Sequence, residues 1–292
     1  MGAADVVPGV SGGTIAFITG IYDKLLGSIR SINPSLLTTL KQQGLKGAWQ
    51  SINGTFLVAL FAGVLTSIAT LAKLISWLMV THPIPLWSFF FGLILVSVYH
   101  ILHQVKQRDA KAVAFLLIGV GFAYLITVLK PLDLEPTTFN FFLCGTIAIC
   151  AMILPGISGS FILLLLGMYT PILAAVKGAD FALLGLFLAG CVSGLLCFSH
   201  LLSWLLNRYR DLTLTFLTGL MIGTLPKIWP WKETISWRTN SSGEQVPLEQ
   251  INLSPLSFEA VANQPAQLTY AIIAALFAIG LVLLLEKVAD NH

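Results

Sequence analysis

Residues 6–26 read VVPGVSGGTIAFITGIYDKLL, and residues 153–173 read ILPGISGSFILLLLGMYTPIL. The two stretches share a Pro-Gly pair, a Ser-Gly pair, a glycine and a tyrosine at one constant spacing of 147 positions. We call PGVSGGT (residues 8–14) the first motif and PGISGS (residues 155–160) the second motif. Proline lacks a backbone donor and glycine is conformationally permissive, so each motif is expected to interrupt a helix within apolar surroundings.

The composition indicates that these surroundings are a membrane. Of the 292 residues, 56% are hydrophobic and only 10% are charged. Soluble domains carry about 25% charged residues, so this chain has too few to cover a water-exposed surface. Apolar runs of about 20 residues recur, the length that crosses a bilayer as a helix. The sequence therefore predicts an all-α polytopic membrane protein, and a net charge of +3 gives no indication of nucleic acid binding.

Full spans and re-entrant hairpins are both expected. Residues 138–154 and 157–176 are apolar but too short to cross comfortably, so residues 138–176 are interpreted as a hairpin of two half-helices. Residues 6–29 repeat the second limb of this hairpin, and the polar, proline-containing residues 231–267 are predicted to form an external loop. The predicted full spans are 55–79, 85–104, 112–130, 181–206, 212–229 and 268–286.

The repeat extends beyond the two motifs. LFAGVLTS resembles FLAGCVSG, and LISWLM matches LLSWLL, both at a spacing of 127 positions. The sequence therefore predicts two halves, residues 1–130 and 131–292, each with one broken-helix hairpin and three spans.

The distribution of basic residues indicates that the two halves are inverted. Cytoplasmic loops carry an excess of lysine and arginine. In the first half, basic residues precede the first span and separate the second from the third; in the second half, they follow the first and the last span. An inverted-topology repeat, with one hairpin entering from each face, explains this pattern. The residues concerned are Arg30, Lys41, Lys46, Lys106, Arg108 and Lys111, and then Arg208, Arg210 and Lys287.

Broken helices at equivalent positions of inverted repeats indicate a binding site near the membrane midplane. A helix start offers unpaired N–H groups and a partial positive charge, glycines allow close approach, and hydroxyls add donors, so a phosphate or carboxylate headgroup would suit the site. A purely structural role, in which the motifs only allow close helix packing, stays open. The candidate headgroup residues are Gly9, Ser11, Gly12, Gly13, Thr14, Gly156, Ser158, Gly159 and Ser160.

Further residues are candidates for ion coupling or headgroup contact. An intramembrane carboxylate costs about 2.5–3.5 kcal/mol on insertion scales, so a buried Asp5 would be a proton or Na⁺ coupling group. The other candidates are Tyr22, Lys24, Arg30, Lys73, Tyr169 and His200. No metal-ligand set, no nucleotide-binding loop and no histidine within the serine motifs is visible, so a transporter without a cofactor is expected rather than an enzyme.

The stretch GAADVVPGVSGGTIAFITGIYDKLLGSI resembles the opening of the bacterial polyprenyl-phosphate (undecaprenyl phosphate) transporter family, formerly a membrane family of unknown function. The likeness also covers the second motif and the hydrophobic layout of the chain. It implies translocation of undecaprenyl phosphate across the bacterial cytoplasmic membrane, which recycles the carrier lipid of peptidoglycan and other envelope polymers.

The implied partners are the polyprenyl phosphate and membrane lipids, and the oligomeric state stays open. Two alternatives remain: a transporter of a small soluble anion, and a membrane scaffold that transports nothing.

Overall fold

Apolar helices build most of the protein. The computed structural model describes residues 1–5, 11–129, 131–132, 134–239 and 245–289. The helices of the first half are α1 (Gly2–Asp5), α2 (Gly12–Ile18), α3 (Tyr22–Arg30), α4 (Ser35–Ser51), α5 (Gly54–Thr81), α6 (Pro83–Gln104) and α7 (Ala110–Val128).

The second half repeats much of this order and adds a small sheet. Its helices are α8 (Thr138–Ile153), α9 (Gly159–Leu165), α10 (Tyr169–Lys177), α11 (Phe181–Arg208), α12 (Arg210–Thr224), a 3₁₀ helix (Leu225–Ile228), α13 (Pro255–Ala262) and α14 (Leu268–Ala289). Strands β1 (Lys232–Thr239) and β2 (Gln245–Asn252) lie between the 3₁₀ helix and α13.

The predicted class of membrane protein is confirmed. Within the described residues, four helices (α5, α6, α7 and α11) are long and apolar enough to cross a membrane. The pair α9 and α10 forms a further broken span or re-entrant loop, and α8 and α14 are additional apolar helices. Side chains start several of these helices: Asp109 accepts from the Ala112 N–H before α7, and Asp180 accepts from the Leu183 N–H before α11.

The predicted span at 212–229 is shorter as an α-helix than expected. Helix α12 ends at Thr224, and the chain continues as the 3₁₀ helix. Pro226 has no N–H to donate to the carbonyl four residues earlier, so the α-helical pattern stops at this point.

Both motif helices are broken a second time, which corrects the prediction of single limbs over 6–29 and 157–176. Helices α9 and α10 meet at 108°, and the break contains Gly167 at φ 74°; Gly20, at φ 69°, separates α2 from α3 in the same way. Glycine reaches this left-handed region at little cost.

The hydrogen bonds at the two breaks are equivalent. After α2, the N–H groups of Gly20 and Ile21 donate to the carbonyls of Phe17 and Ala16, which is a Schellman helix ending. After α9, the N–H groups of Gly167 and Met168 donate in the same way to Leu164 and Leu163. The sequence analysis attributed the helix interruptions to the Pro-Gly pairs of the motifs and assigned no break to Gly20 and Gly167.

Helices of one half pack on helices of the other. Helix α7 lies along α12, and α14 lies along α6. The first pair meets closely at Gly119 and Gly219, where a Cβ on either glycine would overlap a backbone carbonyl of the opposite helix. Small residues of this kind allow membrane helices to pack backbone to backbone.

The segment predicted as an external loop, residues 231–267, is folded in its described part, which corrects that prediction. Strands β1 and β2 pair antiparallel, with Lys232 opposite Asn252. The indole Nε1 of Trp231 donates to the Ala266 carbonyl (2.9 Å), and the Trp231 ring joins a buried cluster with Ile84 and Phe258. The all-α description therefore holds for the membrane helices, whereas the described part of residues 231–267 contains both strands and a helix.

Candidate functional site

The first motif starts α2, and its polar groups bond within the protein. The Ser11 hydroxyl accepts a hydrogen bond from the Gly13 N–H (3.1 Å), and Asp5 Oδ1 accepts one from the Gly12 N–H (2.7 Å). Two of the N–H groups that a helix start leaves unpaired are thus already occupied. The candidate Gly9 lies outside the described residues.

Hydrogen bonds join the first motif region to the end of α8 and to the second motif. The Ser11 hydroxyl lies 3.2 Å from the Met152 carbonyl and 3.3 Å from the Leu154 carbonyl, so it donates to this pair. The Tyr22 hydroxyl donates to the Ile153 carbonyl (3.0 Å). These contacts satisfy carbonyls that the end of α8 leaves without intrahelical partners.

A further bond at this junction runs in the opposite direction. The Gly156 N–H of the second motif donates to the Thr14 hydroxyl of the first (3.0 Å), and both groups are buried. The two motifs, 147 positions apart in sequence, are therefore in direct contact. We call this set of hydrogen bonds the motif junction.

Protein atoms fill the space beside the glycines that was expected to admit an anion. A Cβ on Gly13 would lie 2.7 Å from the Ile153 carbonyl oxygen, and a Cβ on Gly12 would lie 2.5 Å from Asp5 Oδ2. A Cβ on Gly159 would lie 2.8 Å from the Ala148 carbonyl oxygen. In this conformation, these glycines allow segments of the protein to approach one another.

The second motif has different hydrogen bonds. Ser158 precedes α9 as Ser11 precedes α2, yet its side chain makes no capping hydrogen bond. Its hydroxyl instead pairs with the hydroxyl of Ser160 (2.9 Å), which is exposed. Because this pair needs only one of its two hydroxyl protons, the other is available to an added acceptor.

A small cleft adjoins the second motif. We call it the second-motif cleft. It lies where the turn before α9 meets α7, α12 and the 3₁₀ helix. Its lining includes Thr127, Gly156, Ser158, Phe161, Thr224 and Lys227.

Lys227 provides the positive charge of this cleft, and sequence analysis missed it. Its ammonium lies 5.0 Å from the centre of the Phe161 ring. The residue falls inside the predicted span 212–229, and an ionisable residue within a span is a functional candidate by default. At the 127-position spacing it is also equivalent to His100, so a basic residue recurs there in both halves.

The basic candidates chosen from the sequence lie elsewhere. Lys24 is exposed, with its ammonium 4.9 Å from the centre of the Phe56 ring. Arg30 and Lys73 are exposed as well. The half-buried His200 has its Nδ1 2.8 Å from the Leu196 carbonyl of its own helix. None of these four residues is among those that line the second-motif cleft.

The two equivalent tyrosines also differ. Tyr22 is buried and reaches the motif junction through its hydroxyl. Tyr169 is only partly buried and packs at the edge of an apolar cluster that contains Phe141 and Met168. The tyrosine of the first half thus supports the junction, whereas its counterpart contributes to local packing.

Comparison with known proteins identifies the family. A family model described as undecaprenyl phosphate translocase-like matches residues 1–246. A Vibrio cholerae protein named polyprenyl-phosphate transporter is 69% identical over 291 residues, which is 100% of this chain and 94% of the relative. A Staphylococcus aureus protein with the same name is 32% identical over 248 residues, or 79% of this chain and 83% of the relative.

The fold and these matches define a multi-pass transporter of the cytoplasmic membrane. The chain belongs to the undecaprenyl phosphate translocase-like family, and its curated relatives are named as transporters rather than enzymes. The family resemblance stated from the opening motif is confirmed. No solved structure matches the chain.

Proposed function

We propose that this protein translocates undecaprenyl phosphate across the cytoplasmic membrane for recycling of the carrier lipid. The second-motif cleft is the observation that carries the proposal. It places hydroxyl groups and a lysine within an otherwise apolar membrane protein, next to a broken helix. Such a site would compensate for the loss of water around a phosphate, which is very costly without polar partners.

The surroundings of the cleft support a lipid rather than a small soluble anion. Helix α7 contributes one wall, and its neighbouring apolar side chains are exposed: Phe122, Tyr124, Leu125 and Val128. In a bilayer these side chains face lipid, so a polyprenyl tail can stay among the acyl chains while its headgroup enters the cleft. In this conformation the cleft has room for little more than one water, so it would have to widen to admit a phosphate. A soluble anion would need an enclosed aqueous path instead.

Alternating access of the two motifs is the mechanism that we propose. With inverted repeats, each motif would serve the face from which its hairpin enters. In the described conformation the first motif is bonded into the motif junction, and the second adjoins a cleft. Opening the first motif would require the hydrogen bonds of Ser11 to the α8 carbonyls and of Thr14 to the Gly156 N–H to break. The two hydroxyls and the adjoining N–H groups would then become available to the headgroup.

Asp5 is the proposed coupling group. Its carboxylate holds the Gly12 N–H at the start of α2. Binding of a proton or Na⁺ would weaken this charge-assisted hydrogen bond and would release the first motif. We expect Asp5→Asn to abolish the effect of an imposed pH or Na⁺ gradient on lipid translocation in proteoliposomes. An unchanged response to both gradients in the variant would exclude Asp5 as the coupling group.

Binding to the purified full chain tests the proposal directly. Native mass spectrometry would compare undecaprenyl phosphate with undecaprenol, which has the same tail without the phosphate. The proposal predicts tighter binding of the phosphate lipid, and it predicts that Ser158→Ala reduces this preference. Equal binding of the two lipids by the unmodified protein would contradict phosphate recognition and would favour the scaffold alternative.

A further inference from the structure

We infer that Lys227 binds the phosphate of the translocated lipid and that the serine pair of the second motif supplies a hydroxyl donor beside it. The inference rests on the proposed function and assigns the headgroup contacts within it. Lys227 and Ser158 both line the second-motif cleft, and the hydroxyl of Ser158 pairs with that of Ser160. A cation and a free hydroxyl proton at one cleft match the charge and the acceptor atoms of a phosphate monoester.

The surroundings of Lys227 leave its charge uncompensated. Among the described residues, no carboxylate lies within ion-pair distance of its ammonium. Its ammonium lies over the ring of Phe161, at 5.0 Å from the ring centre. A half-buried ammonium against an aromatic ring and apolar helices is poorly solvated, so a bound anion would stabilise it.

Residues of the β-hairpin and of the turn after it hold the backbone that carries Lys227. The Asn252 amide donates to the Pro226 carbonyl (2.8 Å), and the Lys232 ammonium donates to the Lys227 carbonyl. The indole Nε1 of Trp229 donates to the Leu253 carbonyl (2.8 Å). The 3₁₀ helix is thus tied on both sides of Lys227, which fixes the origin of its side chain at the edge of the cleft.

Lysine and histidine at equivalent positions would distinguish the two halves. Lys227 presents a primary amine, whereas the first half carries an imidazole at His100. The two halves therefore offer different basic groups at this position.

A binding experiment with three variants tests the inference on the full chain in detergent. Lys227→Met removes the charge and keeps the apolar stem, Lys227→Arg keeps the charge, and Lys41→Met removes a charge from the exposed helix α4. We expect Lys227→Met to weaken binding of undecaprenyl phosphate by about tenfold or more and to leave undecaprenol binding unchanged. Lys227→Arg should retain most of the preference, and Lys41→Met should behave as the unmodified protein.

The outcomes separate this inference from the proposed function. If the unmodified protein prefers the phosphate lipid and Lys227→Met keeps that preference, the assignment of Lys227 is wrong and the function stands. If the unmodified protein shows no preference, both fail. Inorganic phosphate is added as a competitor: displacement of the lipid at equimolar competitor would show a site for free phosphate and would overturn the assignment to a lipid headgroup. Thermal unfolding of each variant excludes loss of the fold as the cause.

Discussion

Ser11 of the first motif and Ser158 of the second occupy the same place before a seven-residue helix, yet their hydroxyls have different partners. Ser11 is almost fully buried, caps its own helix and donates to carbonyls at the end of α8. Ser158 bonds to Ser160 beside a cleft that also contains Lys227. One copy of the sequence therefore connects two parts of the protein, while the other leaves polar groups available.

Under the proposed mechanism, this difference would let a duplicated motif serve two roles at one time. Inverted repeats would supply two equivalent sites, and alternating access would allow only one of them to bind the headgroup in any conformation. The motif junction closes the first motif against the second. Substitutions in the first motif should therefore change the stability of this conformation, whereas substitutions in the second should change ligand binding.

The largest expected effect comes from a methyl group at Gly13. A Cβ there would lie 2.7 Å from the Ile153 carbonyl oxygen, so Gly13→Ala must displace the end of α8 from the first motif. Overpacking of this kind costs about 1–3 kcal/mol. We expect a clear fall in the thermal unfolding midpoint of the purified protein.

Gly27→Ala is the matched control for this substitution. Gly27 lies in α3, and among the described residues no atom beyond its chain neighbours and its own helix backbone lies within 4 Å of the position that its Cβ would take. Alanine is a better helix former than glycine by about 1 kcal/mol, so the midpoint should stay the same or rise. Equal destabilisation by both substitutions would show that the first motif is not closely packed against α8.

Ser11→Ala and Ser158→Ala test the comparison between the two motifs directly. Loss of the Ser11 hydroxyl removes a helix cap and leaves carbonyls at the end of α8 with fewer donors, which should cost about 1–2 kcal/mol of folding free energy. Ser158→Ala should leave stability nearly unchanged and weaken binding of the phosphate lipid. Chemical or thermal unfolding and lipid binding would be measured on both. Weaker lipid binding by Ser11→Ala, together with lower stability of Ser158→Ala, would assign the ligand site to the first motif.

The sequence predicted the membrane helices well because the length of an apolar run directly reflects the thickness of the bilayer. The predicted span 55–79 lies within α5 (Gly54–Thr81), and 85–104 lies within α6 (Pro83–Gln104). The β-hairpin was not predicted, because the polar residues and prolines of residues 231–267 indicated a loop. The Thr, Ile and Trp residues of β1, which favour strands, were not used in that prediction.

The asymmetry of the site could not be predicted in the same way. Ser11 bonds to the backbone carbonyls of Met152 and Leu154, and every residue type carries such a carbonyl. No side chain of α8 therefore marks the partners of Ser11 in the sequence. Lys227 could have been selected from the sequence, because it is a lysine inside a predicted span. That it lines the same cleft as Ser158 depends on how α12 packs and could not be predicted.

Tyr22 and Tyr169 give a smaller test of the same comparison. Tyr22→Phe removes the hydrogen bond to the Ile153 carbonyl from a buried position, which should cost about 1 kcal/mol. Tyr169→Phe should change the unfolding free energy by roughly a few tenths of a kcal/mol, because the ring keeps its packing. Unfolding midpoints of the two single variants would be compared. A larger loss of unfolding free energy for Tyr169→Phe than for Tyr22→Phe would contradict the role of Tyr22 in the motif junction.

Near neutral pH, the smallest expected effect concerns Lys232, whose ammonium donates to the Lys227 carbonyl. Burial, reinforced by the neighbouring charge of Lys227, lowers the pKa of Lys232 to about 7 from its ordinary value of 10.5. Between these values the unfolded chain binds more protons than the folded one, so the stability contributed by this group rises with pH from about 7 to about 10.5. Between pH 6 and pH 7 the change should be only roughly a few tenths of a kcal/mol.

Lys232→Met shows whether Lys232 is the source of this slope. The variant should unfold with a flatter dependence on pH above 7, because it has no ammonium to bury beside the Trp87 ring (4.7 Å to its centre). An unchanged slope would mean that Lys232 keeps its proton in the folded state through its bonds to the Trp87 ring and the Lys227 carbonyl. In that case a second positive charge would remain next to Lys227, the basic residue that lines the cleft.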